Sequence, residues 1–233
     1  MCGSNPVSLI FHFFNPLTNA FLSKMSQLKC SGLATLSQFP LEDEFWGNLR
    51  KGKDYATLTN VVLYLEFAIT RKALFHNIKV NGTSVDIINT HLTPYDEDET
   101  ENRALRKKQA NDIRKIDKSR KYDLAILGMD MNDKKRTKEN RLTPAFKSFK
   151  RTGFVDLFNF QLMNPITYRH PDNNMVREGE EPATLDYIMI KESLKDDISR
   201  VHIKEMKMET LKTDGGISFS DHEALSATFD IFG

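Results

Sequence analysis

The first 41 residues hold no acid: Met1 to Leu41 contains neither Asp nor Glu. No carboxylate metal ligand or carboxylate base can come from that stretch. Cysteine is scarce as well. Cys2 and Cys30 are the only two, with no Cys-x-x-Cys spacing, which excludes a disulfide framework and a cysteine-built zinc site. No apolar run is long enough to span a bilayer. The apolar start VSLIFHFF follows no basic segment and is interrupted at Asn15-Pro16, unlike a secretory signal. Position 2 is Cys rather than Gly, so the myristoylation pattern fails too. An excess of one charge is also lacking: 33 Lys and Arg stand against 32 Asp and Glu, net +1. That balance argues against binding nucleic acid over the whole surface.

What is present is patterned. The charge is uneven, with RALRKKQ, RKIDKSRK, DKKRTKENR and KSFKR crowding cations between Arg103 and Arg151. PYDEDETE (94–101) and REGEE (177–181) are the acidic counterweights, and each run reads first as a solvated face. No repeat or low-complexity linker divides the chain. GLATLS (32–37) reads as a short strand ended by Pro40. ALFHNIKV (73–80) and SVDIINTHL (84–92) flank Asn81-Gly82, a strong hairpin signal. Apolar spacing predicts a helix over roughly 99–118, and Thr143-Pro144 opens a short second one, TPAFKSFKR. DLAILG (123–128), FVDLF (154–158), TLDYIMI (184–190), VHIKEM (201–206) and 224–231 read as strands. Strands outnumber helices, which predicts an α/β or α+β sandwich.

Four strand ends carry polar groups suited to catalysis. INTHL places His91 and ILGMDMND places Asp130 and Asn132 on one side of an extended chain. TLDYIMI sets Asp186 inside an apolar strand, and FSDHEAL sets Asp221 and His222 before the last one. Singly, each reads as a core histidine, an Asx turn or a cap. Together they suggest more. A buried carboxylate needs a partner, and Asp186 could fix the tautomer of His222. Carboxylates plus an amide are oxygen donors that suit Mg²⁺ over Zn²⁺.

The order NTHL, D-x-N, LDY and SDH resembles the endonuclease/exonuclease/phosphatase superfamily, the deoxyribonuclease I-like fold. SGLATLSQFPL (31–41), RKAL (71–74), NTHLTPY (89–95), the R-x-x-Q of Arg106 to Gln109 and SDHEALSATF (220–229) are most similar to the neutral sphingomyelinases. The resemblance covers roughly residues 31 to 231 and implies a four-layer α/β sandwich. Residues 31–233 would be that domain and 1–30 an atypical N-terminal segment, with the usual first strand–helix–strand unit missing as if truncated. It implies a general base in His222, oriented by Asp186. Asp130 and Asn132 would position nucleophile and phosphate, His91 would donate to a phosphoryl oxygen, and Asp221 with Asp130 would bind Mg²⁺. Two positions depart from the pattern. Met129 stands where a Gly is usual, so its side chain must find room. The principal metal-binding Glu of the family's opening unit has no counterpart, and Glu42, Asp43 and Glu44 follow the wrong strand.

The expectation is therefore a Mg²⁺-dependent phosphodiester hydrolase acting on sphingomyelin at a membrane surface. An inactive or truncated member of the fold is the main alternative, and a nuclease using the 103–151 basic run ranks third. A cytoplasmic or peripheral-membrane location is expected ahead of secretion.

Overall fold

The computed structural model describes residues 6–11, 43–49, 54–55, 66–67, 71–94, 99–159, 165–175, 181–192, 201–218 and 220–232. The GLATLS segment lies outside them.

Two long strands, β5 (Lys72–Val80) and β6 (Thr83–His91), are joined at Asn81-Gly82, whose φ angles are +51° and +82°. Positive φ at both central residues is the turn that matches strand twist, and Asn-Gly adopts it cheaply. β6 then pairs in parallel with β7 (Leu124–Asp130), and β7 pairs antiparallel with β9 (Asp186–Glu192). With β2 (Asp43–Asn48) on one edge and β8 (Val155–Asp156) on the other, the sheet order is β2-β5-β6-β7-β9-β8. A second sheet has the order β1-β11-β10, from β1 (Pro6–Phe11), β10 (Val201–Glu209) and β11 (Ala224–Ile231). A short ribbon of β3 (Asp54–Tyr55) and β4 (Glu66–Phe67) stands apart.

The period-2 alternation of the strands sorts their side chains onto two faces. Ile78, Val85, Ile87, Leu124, Ile126, Ile188 and Ile190 meet Met206, Leu225, Ala227, Phe229 and Ile231 of the second sheet. Phe75, Ile88, Ala125, Leu127, Met129, Tyr187 and Met189 face the helices α1 (Glu99–Ser119) and α2 (Pro144–Lys150), which supply Ala110, Ile113, Ala145, Phe146 and Phe149. The chain is an α/β sandwich. Helices, six-stranded sheet and three-stranded sheet are three of the expected layers, and no helix beyond the second sheet is among the described residues. Met129 finds its room on the helix side, fully buried in that cluster.

Two segments differ from the sequence reading. The apolar opening contributes a strand, β1, paired along β11 from Pro6↔Asp230 to Phe11↔Leu225. FVDLF extends only over Val155–Asp156 before turning into a 3-10 turn at Leu157–Asn159. The cause is Asp156, whose carboxylate accepts the Phe158 N–H at 3.1 Å and the Lys135 ammonium at 2.9 Å. A side chain that offers the backbone a local acceptor ends a strand.

At the sheet end remote from His91, Asp86 is fully buried and held by Arg120 Nε and Nη2, with Asn77 donating to it at 2.6 Å. Removing one partner of a buried pair leaves an uncompensated charge. Arg120→Leu is expected to lower stability by about 3 kcal/mol, read from urea unfolding. An unchanged midpoint would mean the pair contributes nothing net.

Candidate active site

The register of three neighbouring strands sets the site. His91 closes β6 opposite Asp130, and Asp130 closes β7 opposite Asp186, which opens β9. The three lie abreast in one row across the sheet. Parity puts them on one face: each is an even number of residues from Ile87, Ile126 or Ile188, the side chains that meet the second sheet. That sheet delivers His222, two residues before β11 begins.

The contacts are close. His222 Nδ1 lies 2.8 Å from Asp186 Oδ2, and its Nε2 lies 4.0 Å from Asp130 Oδ2. His91 Nε2 approaches the same Asp130 oxygen at 3.2 Å from the other side. Asp130 Oδ1 accepts the Asn132 backbone N–H at 2.8 Å, and Asn132 Nδ2 donates to Leu92 O at 3.1 Å. Asn132 has φ +51°, a left-handed conformation that Asn tolerates, so the D-x-N spacing works as an Asx turn that ties β7 to the loop after β6.

Burial and charge act on the pair together. Burial pushes the Asp186 carboxyl up, to about 6, although the His222 charge pulls the other way. Burial pulls His222 down, but the charge and hydrogen bond of Asp186, with the charges of Asp130 and Asp221, outweigh it and raise it to about 10. At neutral pH and without a cation, the pair is carboxylate and imidazolium.

A metal could be held in one place. Among the described residues, Asp130, Asp186 and His222 are the group whose ligand-type atoms lie within 4.8 Å of one another. Asp186 Oδ1 is buried and has no hydrogen-bond partner. Two carboxylates with an orphaned oxygen fit a hard cation such as Mg²⁺. Asp221 is half-buried beside His222 and falls outside that group.

The expected Glu is not supplied by β2. That strand pairs Glu44 with His76, which pairs with Ile87, four residues from His91. At about 3.3 Å per strand residue, Glu44 sits roughly 13 Å from the row. Asn48 is the β2 residue at the site end, opposite Lys72.

Residues 165–175 escaped sequence reading and hold His222 and Asp186 in place. The Thr167 hydroxyl accepts the N–H groups of Leu185 and Asp186 at 2.9 and 3.1 Å. The Tyr168 ring lies against the His222 imidazole, centroids 4.8 Å apart, and the Arg169 guanidinium covers Tyr168 at 4.7 Å. Glu223 N donates to Thr167 O, and Asn173 Nδ2 bonds both Ser220 O and Glu223 Oε1. The only local signal was TYRH, an aromatic between polar groups without periodicity. Behind His91, Gln109 and fully buried Arg106 hold the NTHLTP loop: Gln109 exchanges hydrogen bonds with Thr93, and Arg106 reaches Thr93 O and Pro94 O. Arg103 and Arg106 also flank buried Asp133, at 3.6 and 3.7 Å.

Solved structures of this shape are known. A beta toxin mutant from Staphylococcus aureus with bound magnesium ions superposes with a TM-score of 0.57 at 20% identity, over 82% of this chain and 65% of that one. An endonuclease/exonuclease/phosphatase from Beutenbergia cavernae gives 0.56 at 14% identity, over 84% and 47%. D. rerio TDP2 complexed with single-strand DNA product gives 0.50 at 17% identity, over 79% and 68%. The fold is that of the endonuclease/exonuclease/phosphatase superfamily. No family model and no curated protein matches the chain in sequence. Within this superfamily fold, the polar row stands at one end of the sandwich, between the two sheets.

If Asp186 and Asp130 hold the proton on His222, the imidazole of metal-free protein titrates well above 6.5, the usual histidine value. Asp186→Asn removes the largest opposing charge while burial stays, so the midpoint drops, by more than about one unit. Proton NMR of the His222 ring checks this, and a midpoint that does not move contradicts it.

Proposed function

We propose that this chain is a Mg²⁺-dependent phosphodiesterase that releases phosphocholine from sphingomyelin. The observation that carries it is the His222–Asp186 contact of 2.8 Å beside Asp130. With Nδ1 occupied by Asp186, Nε2 is the nitrogen left to take a proton from an attacking water. Mg²⁺ prefers oxygen, which leaves that nitrogen to the water. Asp186 holds the ring and its tautomer. Asp130 and the unpartnered Oδ1 of Asp186 are the carboxylate oxygens that would hold Mg²⁺, whereas Asp221, expected from sequence to share that role, lies outside the group. When bound, the ion would neutralise charge growing on the phosphoryl oxygens and offset the carboxylate that keeps His222 protonated. His91 donates to a phosphoryl oxygen, and Asn132 sets the position of Asp130 through its backbone N–H. The lipid assignment rests on the SDHEALSATF and NTHLTPY likeness and on near-zero net charge.

A second reading, a member of the fold that does not turn substrate over, is favoured by the register that keeps Glu44 away from the row. One assay separates the two: phosphocholine release from sphingomyelin in mixed micelles, with Mg²⁺, with chelator, and with His222→Ala. Release is expected to need Mg²⁺ and to fall on the order of 100- to 10,000-fold without the base. Folded wild-type protein releasing no more than His222→Ala would give the case to the second reading.

A further inference from the structure

Four residues beyond Asp130 the chain turns strongly basic and stays so through α2. Between Lys134 and Arg151 it carries eight Lys and Arg against the single acid Glu139. The first part is a self-contained finger. Arg136 bridges Leu142, Thr137 N donates to Arg141 O at 2.8 Å, and Thr143 N donates to Lys135 O at 3.1 Å. Its turn closes through Asn140, with φ +62°. The second part is α2, which turns Ala145, Phe146, Ser148 and Phe149 inward. Lys134, Arg136, Lys138, Arg141, Lys147, Lys150 and Arg151 are left exposed. The finger leaves the sheet at the end that carries Asp130, so the basic surface starts at the rim of the site.

We infer that this finger and the outer side of α2 form a docking surface for an anionic phospholipid bilayer. Charge complementarity is the first argument, because a juxtaposed set of Lys and Arg is what a leaflet with anionic headgroups attracts. The shape of the aromatics is the second. Phe146 and Phe149 are buried in the core, so the surface has no rings on which unpaired bases could stack. The exposed large apolar side chains among the described residues are Val155, Ile217 and Phe232, none of them in 134–151. Attachment by this surface is therefore electrostatic, without insertion, and weakens steeply with salt. The choice of a bilayer over other polyanions rests on the lipid reading of the site.

The test is co-sedimentation with phosphatidylcholine vesicles with and without phosphatidylserine, at rising NaCl. The variant combines Lys138→Gln, Arg141→Gln, Lys147→Gln and Lys150→Gln. A control removes the same charge elsewhere, by Lys79→Gln, Lys118→Gln, Lys121→Gln and Lys207→Gln. Wild type and control are expected to bind the phosphatidylserine vesicles at low salt. The surface variant is expected to bind them roughly five-fold more weakly per cation removed, with its thermal unfolding and its hydrolysis of soluble bis(p-nitrophenyl) phosphate unchanged. Equal binding by variant and wild type overturns the inference, and so does an equal loss in the control. A loss confined to DNA binding, with vesicle binding intact, overturns it in favour of nucleic acid. Vesicle binding as expected, with no sphingomyelin hydrolysis by wild type, upholds the surface and removes the proposed activity instead.

Discussion

Asp186 is a carboxylate with no exposure to water, and the site is arranged around that cost. Leaving such a group ionised and alone is ruled out by desolvation. His222 supplies the compensating proton at 2.8 Å, and the two sheets must approach closely at this end for it to do so. The approach is enforced by packing: Ile188 and Ile190 of β9 and Leu225 and Phe229 of β11 belong to one apolar cluster. The loop at 165–175 closes the remaining gap, binding the start of β9 through Thr167 and the start of β11 through Asn173 and the Glu223 N–H. Core packing and the geometry of the His222–Asp186 pair are thus the same constraint. A shift of one residue in the β7·β9 register would turn Asp186 toward the helices and break the pair.

The helix layer supports the other half of the row. α1 buries Arg106, Gln109, Ala110, Ile113 and Asp117 along one face, at the three- and four-residue spacing of a helix. Two of these serve the core as hydrocarbon, and two serve the loop after His91 by satisfying Thr93 and Pro94. Arg106, Gln109 and Asp117 set polar groups among the apolar residues of that face. Their partners, Thr93 and Pro94 for Arg106 and Gln109, and Lys191 and Tyr122 for Asp117, belong to no helical pattern.

Local rules made much of this fold legible. Asn81-Gly82 specified the hairpin, α1 was placed within one residue at its C-terminal end, and β11 at 224–231 was found at its observed bounds. Those elements are set by turn chemistry and by periodicity, which any window of the chain contains. The polar strand ends were legible for the same reason, since His91, Asp130 and Asp186 interrupt apolar runs. What stayed hidden depends on distant partners. The pairing of β1 with β11 joins residues more than two hundred apart in sequence. The early end of β8 depends on Lys135 reaching Asp156, and the contact of Tyr168 with the His222 ring belongs to no pattern of its own segment.

The charges in the row bear on the carboxylate that β2 does not supply. The row holds two carboxyl groups, Asp130 and Asp186, and one oxygen of Asp186 is already occupied by His222. Asp130 stands between two imidazoles, His91 at 3.2 Å and His222 at 4.0 Å. A proton on His222 and a divalent cation at Asp130 would therefore compete for the same negative charge. In such a site metal affinity would rise as His222 deprotonates, because ligand and proton cannot both be satisfied. A third carboxylate would relieve the competition by holding the cation whatever the state of His222. Glu44, roughly 13 Å down the sheet, cannot act in that way. Asp130 would be the residue to hold such a cation, and a positive charge there would offset the carboxylate that favours the His222 imidazolium, so cation binding and deprotonation of His222 would be coupled.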